Sequence, residues 1–251
     1  MSEPGPAPAY YAPRRGAGTG RFADWWSVLH PPYTAWHLSY VVLGATVAPH
    51  VSWTRLVATL LAFLLAVGIA AHALDELNGR PLRTGIPAWL LAAVAVVALV
   101  GAIGLGVAGV ERVGAGLVPF IVVGAALVVA YNLELFGGAI HTSAGFALAW
   151  GAFPVLTAYY AQASSLGAAA IAGAIAAFAL SSAQRTLSTP ARRLRRNVAA
   201  VDVSTVMRDG TVVSSGRDEL LAPLERALRT MSWAMVALAC GLALARAGGW
   251  S

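Results

Sequence analysis

Three clusters of polar residues interrupt an otherwise apolar chain, and their residue types are those that bind ions or move protons. His72, Asp75 and Glu76 are spaced i, i+3 and i+4, so a helix would carry all three on one face. The other two clusters contain Tyr131, Asn132, Glu134 and His141, and then Gln184, Arg185 and the arginines that follow. Charged groups beside apolar runs that could span a membrane cost free energy unless they are paired, hydrated or liganded. The pattern therefore indicates a functional site.

The carboxylates and the basic or amide side chains of these clusters suggest two roles. Asp75, Glu76 and Glu134 are the candidate catalytic residues, because a carboxylate can act as an acid, a base or a metal ligand. A second set would donate hydrogen bonds to phosphate oxygens or orient a substrate. This substrate-binding set comprises Asn78, Arg80, Arg83, Tyr131, Asn132, Arg185 and Arg192.

Two kinds of metal site are compatible with these clusters. Carboxylates could hold Mg²⁺ against a diphosphate whose oxygens the arginines neutralise. Histidines and carboxylates together could instead bind Zn²⁺ or iron. The candidate metal ligands are His72, Asp75, Glu76, Glu134 and His141. A plainer interpretation also stays open, in which Asp75 and Glu76 pair with nearby arginines at a hydrated helix end. The remaining histidines are interpreted as interfacial or structural: His30, His37 and His50.

Composition predicts the elements that carry these clusters. Of the 251 residues, 58% are hydrophobic and 11% are charged, whereas ordinary soluble domains contain about 25% charged residues. Such a chain suits a bilayer, which apolar helices of about 20 residues can cross. The predicted fold is therefore all-α, a polytopic transmembrane helix bundle. About seven spans are expected, at residues 34–50, 56–75, 88–109, 116–133, 145–163, 166–183 and 231–248.

The chain divides into four predicted regions. They are a disordered N-terminal tail at 1–21, a transmembrane bundle at 22–183, an arginine-rich cytoplasmic loop at 184–230 and a C-terminal transmembrane helix at 231–251. Within the polar loop, Asp209-Gly210 lies between β-prone runs, a pattern that predicts a hairpin. The leucines at 220, 221, 224 and 228 then predict an amphipathic helix that leads into the last span.

The basic residues predict how the bundle is oriented. All 17 are arginines, and a cytoplasmic N-terminus places fourteen of them on the cytoplasmic side and only Arg55, Arg112 and Arg246 outside. We therefore expect an integral protein of the plasma (inner) membrane with its N-terminus in the cytoplasm. Membrane lipid is its expected partner. Because the arginines lie between apolar spans, the net charge of +6 indicates topology rather than binding of nucleic acid.

Several of these strings resemble those of UbiA-type intramembrane prenyltransferases over about residues 22–183. HPPYTAWHLSYVVLGATVAP resembles the entry to the first span of that family, and AHALDELNGRPLRTGIP resembles its first aspartate motif with the segment that follows. YNLELFGGAIHTSAGFALAWGAFPV resembles the next cytoplasmic connection. The resemblance implies a bundle with a cytoplasmic site for an isoprenoid diphosphate and Mg²⁺.

The sequence departs from the pattern of that family at the acidic residues. In the first motif only Asp75 matches, His72 stands at the second position, and the last aspartate falls on Gly79. The second acidic motif is replaced by five arginines within residues 184–197. The family also has about nine spans, compared with the seven expected here.

Three functions remain open from the sequence. The first is a divergent UbiA-like membrane protein, a prenyltransferase-like transferase that transfers or processes an isoprenoid or other lipidic substrate at the cytoplasmic face. The second is a metal-dependent membrane enzyme of another class that uses the histidines and carboxylates named above. The third is a non-enzymatic membrane protein that binds lipid headgroups or a partner.

Overall fold

The computed structural model describes residues 9–12 and 20–249, and most of these residues are helical. The elements are α1 Arg21–Leu29, α2 Pro31–Thr46, α3 Trp53–Leu77, α4 Ala88–Val113, α5 Ala115–Asn132, α6 Ser143–Ala163, α7 Ala168–Arg196, β1 Asp202–Val206, β2 Val212–Gly216 and α8 Arg217–Ala247. The predicted tail, 1–21, lies largely outside the described residues. Its residues 9–12 form a turn.

The six helices from α3 to α8 are long and apolar enough to cross a membrane. The chain is therefore an integral membrane protein of the all-α class. The first expected span corresponds to α2, which has 16 residues and is thus about 24 Å long. Each expected span falls on one of the helices α2 to α8, although α2 is shorter than the ~30 Å thickness of a hydrocarbon core.

Helix α2 lies in the centre of the bundle, between α6 and α8. Trp36, Tyr40 and Val41 are completely buried on it. Gly44 permits the close approach of α6, because a Cβ atom there would lie 2.3 Å from the carbonyl oxygen of Val155. Small residues at helix crossings are typical of membrane bundles, where packing replaces the hydrophobic effect as the source of stability.

Two helices contain a π-helical segment. In α3 it covers Leu64–Ala71, and in α6 it covers Leu148–Ala152. The two segments pack together in one core cluster that includes Val67 and Trp150. Segments of this kind are rare and frequently occur at functional sites.

The arginine-rich segment 184–230 is more helical than the sequence predicted. Helix α7 continues to Arg196, so most of the arginine-rich segment is helical, and α8 runs from the amphipathic stretch into the last span without a break. The hairpin pairs β1 with β2 in antiparallel register, with Gly210 in its turn. The ends of α7 and α8 extend together because Ala191, Leu221 and Leu228 form a buried cluster between them.

At the opposite end of the bundle, two arginines bind the ends of helices. Arg55 donates hydrogen bonds to the carbonyl oxygens of Ala161, Gln162 and Arg112 at 3.3, 3.0 and 2.6 Å. Arg246 donates to backbone carbonyls at the end of α2. These cations therefore satisfy carbonyl groups that a helix C-terminus leaves without intrahelical donors.

Candidate functional site

The three polar clusters meet in one cavity of about 360 Å³ at the hairpin end of the bundle. Of the residues predicted for the site, the cavity is lined by His72, Asp75, Asn78, Tyr131, Asn132, Glu134, His141, Arg185 and Arg192. Helices α3, α5 and α7 supply most of them, and the α3–α4 and α5–α6 connections supply the rest. The cavity volume lies within the range of pockets that bind small molecules.

Glu76 does not line this cavity, although the sequence made it a candidate catalytic residue and metal ligand. Its carboxylate is completely buried and accepts hydrogen bonds from the backbone N–H of Leu82 and from the N–H and hydroxyl of Thr84, at 2.8–2.9 Å. Glu76 directly follows Asp75, and consecutive side chains on a helix point about 100° apart. Glu76 therefore holds the α3–α4 connection in place.

Arg80 and Arg83, which the sequence assigned to substrate binding, also lie outside the cavity lining. Both adopt the left-handed backbone region, with φ of 54° and 52°. Arg80 donates a hydrogen bond to the carbonyl of Ile86 at 2.6 Å, and Arg83 is exposed. In this structure Arg80 stabilises its own loop, and neither guanidinium reaches the polar cluster.

Arg185 and Arg192 keep donors available for a ligand. Arg185 donates to the hydroxyl of Tyr131 at 3.1 Å and lies over the ring of Phe146, and Arg192 donates to the hydroxyl of Ser188 at 3.2 Å. Neither arginine forms an ion pair with a carboxylate among residues 9–12 and 20–249. A guanidinium has five N–H donors, so both can still bind an anion through paired hydrogen bonds.

Asp75 is one of the carboxylates that line the cavity. It interacts electrostatically with His141, Arg192 and Arg196. Glu134 is more exposed and lies 3.8 Å from the imidazole of His141, the ring of which stacks on Tyr131. Asp75 is thus a half-buried carboxylate close to cations, whereas Glu134 is more exposed.

Three histidines of the cavity have one ring nitrogen fixed by the backbone. The Nδ1 atoms of His37, His72 and His141 lie 2.8, 3.1 and 3.1 Å from carbonyl oxygens. A carbonyl oxygen only accepts, so each Nδ1 carries the proton and donates it. The Nε2 of each ring is then the nitrogen that can accept a hydrogen bond or a proton from a ligand.

The predicted metal ligands do not converge as a cluster. Among the residues that the structure describes, no three His, Cys, Asp or Glu side chains are close enough to hold a metal ion. His72 contacts His30, with ring centroids 4.7 Å apart, whereas His141 pairs with Tyr131 and Glu134. The described side chains therefore do not form a site of three or more protein ligands.

Residues at the start of the chain complete the wall of the cavity. His30, Tyr33 and His37 line it together with Tyr10 and Tyr11. The hydroxyl of Tyr11 hydrogen-bonds Nδ1 of His30. Burial lowers the pKa of His30 well below its usual range, and the nearby His72, Arg196 and Arg192 act in the same direction. Burial also raises the pKa of the Tyr11 hydroxyl.

Part of this wall had a signal in the sequence. His30, Tyr33 and His37 are spaced i, i+3 and i+7, which places them on one helix face. From the sequence, however, the two histidines are expected to be interfacial or structural. Tyr10 and Tyr11 carried no such signal, because the segment around them is rich in proline, glycine and alanine.

Within the described residues, not every buried polar atom of the cavity lining has a hydrogen-bond partner. The side-chain oxygen of Gln184 accepts no hydrogen bond within the described part of the chain, although the residue is only 3% exposed. Leaving such an acceptor without a donor costs about 1–3 kcal/mol. The atom can accept a hydrogen bond from a hydroxyl or amine of a bound molecule, or from water.

A second cavity, the apolar cleft, lies between α3, α4, α5 and α6. Its volume is about 390 Å³, and its lining extends from Arg55 and Arg112 at the far end of the bundle to Val67 and Trp150 near the middle. Val67 and Trp150 also line the polar cavity. The two cavities thus have a common wall.

The fold and the site together define an integral membrane helix bundle with a basic, histidine-containing cavity at one end. In comparisons with known proteins, no protein-family model, curated protein or solved structure matches the chain. The similarity to UbiA-type enzymes therefore rests on the sequence strings alone.

Proposed function

We propose that the polar cavity binds the phosphate or diphosphate headgroup of an isoprenoid or other lipidic substrate, and that the protein is a divergent, UbiA-like membrane transferase. The observation that carries this proposal is that Arg185 and Arg192 line the same cavity as Asp75 without forming an ion pair with any carboxylate of the described residues. Paired guanidinium donors suit phosphate oxygens, and a bilayer supplies lipidic substrates.

The residues of the cavity have distinct roles in this proposal. Arg185 and Arg192 neutralise the phosphate oxygens and stabilise the charge that grows on a departing phosphate or diphosphate. Asp75 accepts a proton from the attacking group, and Tyr131 positions Arg185 through its hydroxyl. Mg²⁺ carried by the diphosphate would add further charge neutralisation.

The distribution of arginines between the two ends of the bundle indicates how the protein is oriented in the membrane. We place the polar cavity on the cytoplasmic side of the plasma membrane, with the N-terminus on that side and α2 as the first of seven spans. Two of the three arginines at the other end, Arg55 and Arg246, bind helix carbonyls, so structural contacts account for their position. The positive-inside rule favours this arrangement.

The test is consumption of an isoprenyl diphosphate by the purified full chain, reconstituted with a total lipid extract and Mg²⁺. We expect Asp75→Asn to reduce consumption by about 10²–10⁴-fold, because a positioned base contributes about that much. Asp202→Asn, on the exposed hairpin, should keep wild-type activity. If the wild type neither binds nor consumes the diphosphate, the proposal is wrong.

A non-enzymatic role in binding anionic headgroups is the second candidate, favoured by the excess of cationic side chains around the cavity. The same experiment separates the two. An enzyme consumes the diphosphate, whereas a binding protein retains it unchanged and is insensitive to Asp75→Asn.

A further inference from the structure

We propose that the apolar cleft is the binding site for the hydrocarbon chain of the molecule whose headgroup occupies the polar cavity. The ligand is then a single-chain amphiphile. Its chain extends from the polar cavity past Val67 and Trp150 into the apolar cleft. This inference rests on the proposed function of the polar cavity, and it adds where the apolar part of the ligand lies.

The two cavities share part of their lining. Val67 and Trp150 line both of them, and each lies within one of the two π-helical segments. The extra residue in a π-helical turn changes the direction of the side chains around it, and such segments recur at functional sites. Two of them meeting at the junction of a polar and an apolar cavity favours passage of a ligand there.

The length of the cleft and its small side chains suit a hydrocarbon chain. From Arg55 to Val67 along α3 is twelve residues, or about 18 Å, which is over half of a ~30 Å hydrocarbon core. Small side chains keep this space open, among them Ala62 on α3 and Gly124 on α5. A Cβ on Gly124 would lie 3.2 Å from the ring of Phe153, so the wall there has little room to spare.

The far end of the cleft contains residues that make structural contacts. At the far side Arg55 binds the carbonyls that close α4 and α6, so its guanidinium is already engaged. The charged groups of the cleft are confined to that end, and the path from there to Trp150 is formed by apolar side chains and two threonines. The cleft thus suits a hydrocarbon chain whose polar end lies in the other cavity.

The test compares two probes on the purified full chain in one detergent: methyl phosphate, which has a headgroup alone, and dodecyl phosphate, which adds a chain. We expect wild type to bind both, and the dodecyl compound at least about tenfold more tightly. Ala62→Phe, which fills the cleft, should remove that difference and leave methyl phosphate binding unchanged. Ala93→Phe, the same substitution at an exposed position outside the cleft, is the matched control.

The results separate the two proposals. If wild type binds both probes equally, or if Ala62→Phe and Ala93→Phe behave alike, the cleft is not the chain site although the headgroup site stands. If neither probe binds to wild type, the headgroup site fails and this inference fails with it.

Dodecyl phosphate with a photoactivatable terminal carbon gives a second readout that needs no variant. It should label peptides of the four helices that line the cleft, α3, α4, α5 and α6, and labelling confined to other helices would overturn the inference.

Discussion

At the scale of single residues, neighbouring carboxylates have different roles. Asp75 lines the polar cavity near cations, whereas Glu76 accepts three hydrogen bonds from residues 82 and 84 and is completely buried. The sequence identified both as candidates from their helical spacing. It could not separate them, because the path of the connection around Glu76 depends on tertiary contacts.

The first prediction concerns this difference. Glu76→Ala should lower the free energy of unfolding by about 1–3 kcal/mol or more, because it leaves buried backbone N–H groups without an acceptor. Asp75→Asn should change stability much less. Thermal unfolding of the two purified variants in one detergent measures both, and equal destabilisation would contradict the assignment.

At the scale of elements, close packing of helices decides the architecture. The apolar runs and the Asp209-Gly210 turn were sufficient to place a helix at each expected span and to place the hairpin, although α7 and α8 each extend more than ten residues beyond the expected span. The extension of α7 to Arg196 was not predicted, because isolated arginine-rich sequence favours a solvated loop. It becomes helical through contacts of its apolar side chains with α8.

The second prediction tests the crossing of α2 and α6. Gly44→Ala should destabilise the bundle by about 1–3 kcal/mol, since its Cβ would lie 2.3 Å from the carbonyl oxygen of Val155. Gly104→Ala on α4 is the matched control, because nothing lies within 4 Å of a Cβ there. The unfolding midpoint of each variant reports the effect, and a Gly44→Ala variant as stable as the control would refute this packing.

The third prediction concerns the pair of Arg195 and Glu225, which joins the ends of α7 and α8 through hydrogen bonds of 2.6 and 2.5 Å. The side chains are 18% and 15% exposed. Glu225→Ala should cost about 1–3 kcal/mol, somewhat less than the cost of breaking a fully buried pair. Replacing both residues by leucine should recover much of that loss. A double-mutant cycle on the free energy of unfolding measures the coupling, and a value near zero would argue against it.

At the scale of the whole molecule, the arrangement places polar chemistry at one end and helix-capping arginines at the other. The asymmetry of the arginines was readable from the sequence. That the three clusters converge on one cavity was not, because adjacent spans can pack in several orders with the same loops. His30 and His37 were likewise assigned to structure, since nothing in the sequence placed α2 against α3 and α6.

The fourth prediction follows from the orientation that we propose. In a Cys240→Ala background, Ser204→Cys in the hairpin should react with a membrane-impermeant maleimide only from the cytoplasmic side. Ser165→Cys, at the other end of the bundle, should react only from outside. Labelling of intact cells and of inverted vesicles measures this, and the reverse pattern would invalidate the topology.

The central claim is that Arg185 and Arg192 bind an anionic headgroup in the polar cavity. The most direct measurement is equilibrium binding of an isoprenyl diphosphate to wild type, to the Arg185→Gln, Arg192→Gln double variant, and to Arg193→Gln. Arg193 is the matched control, since it is exposed on the same helix and does not line the cavity. We predict that the double variant binds at least about a hundredfold more weakly, because hydrogen bonds to charged groups contribute about 1.5–3 kcal/mol each, and that Arg193→Gln binds like wild type. Equal affinity of all three proteins would contradict the account.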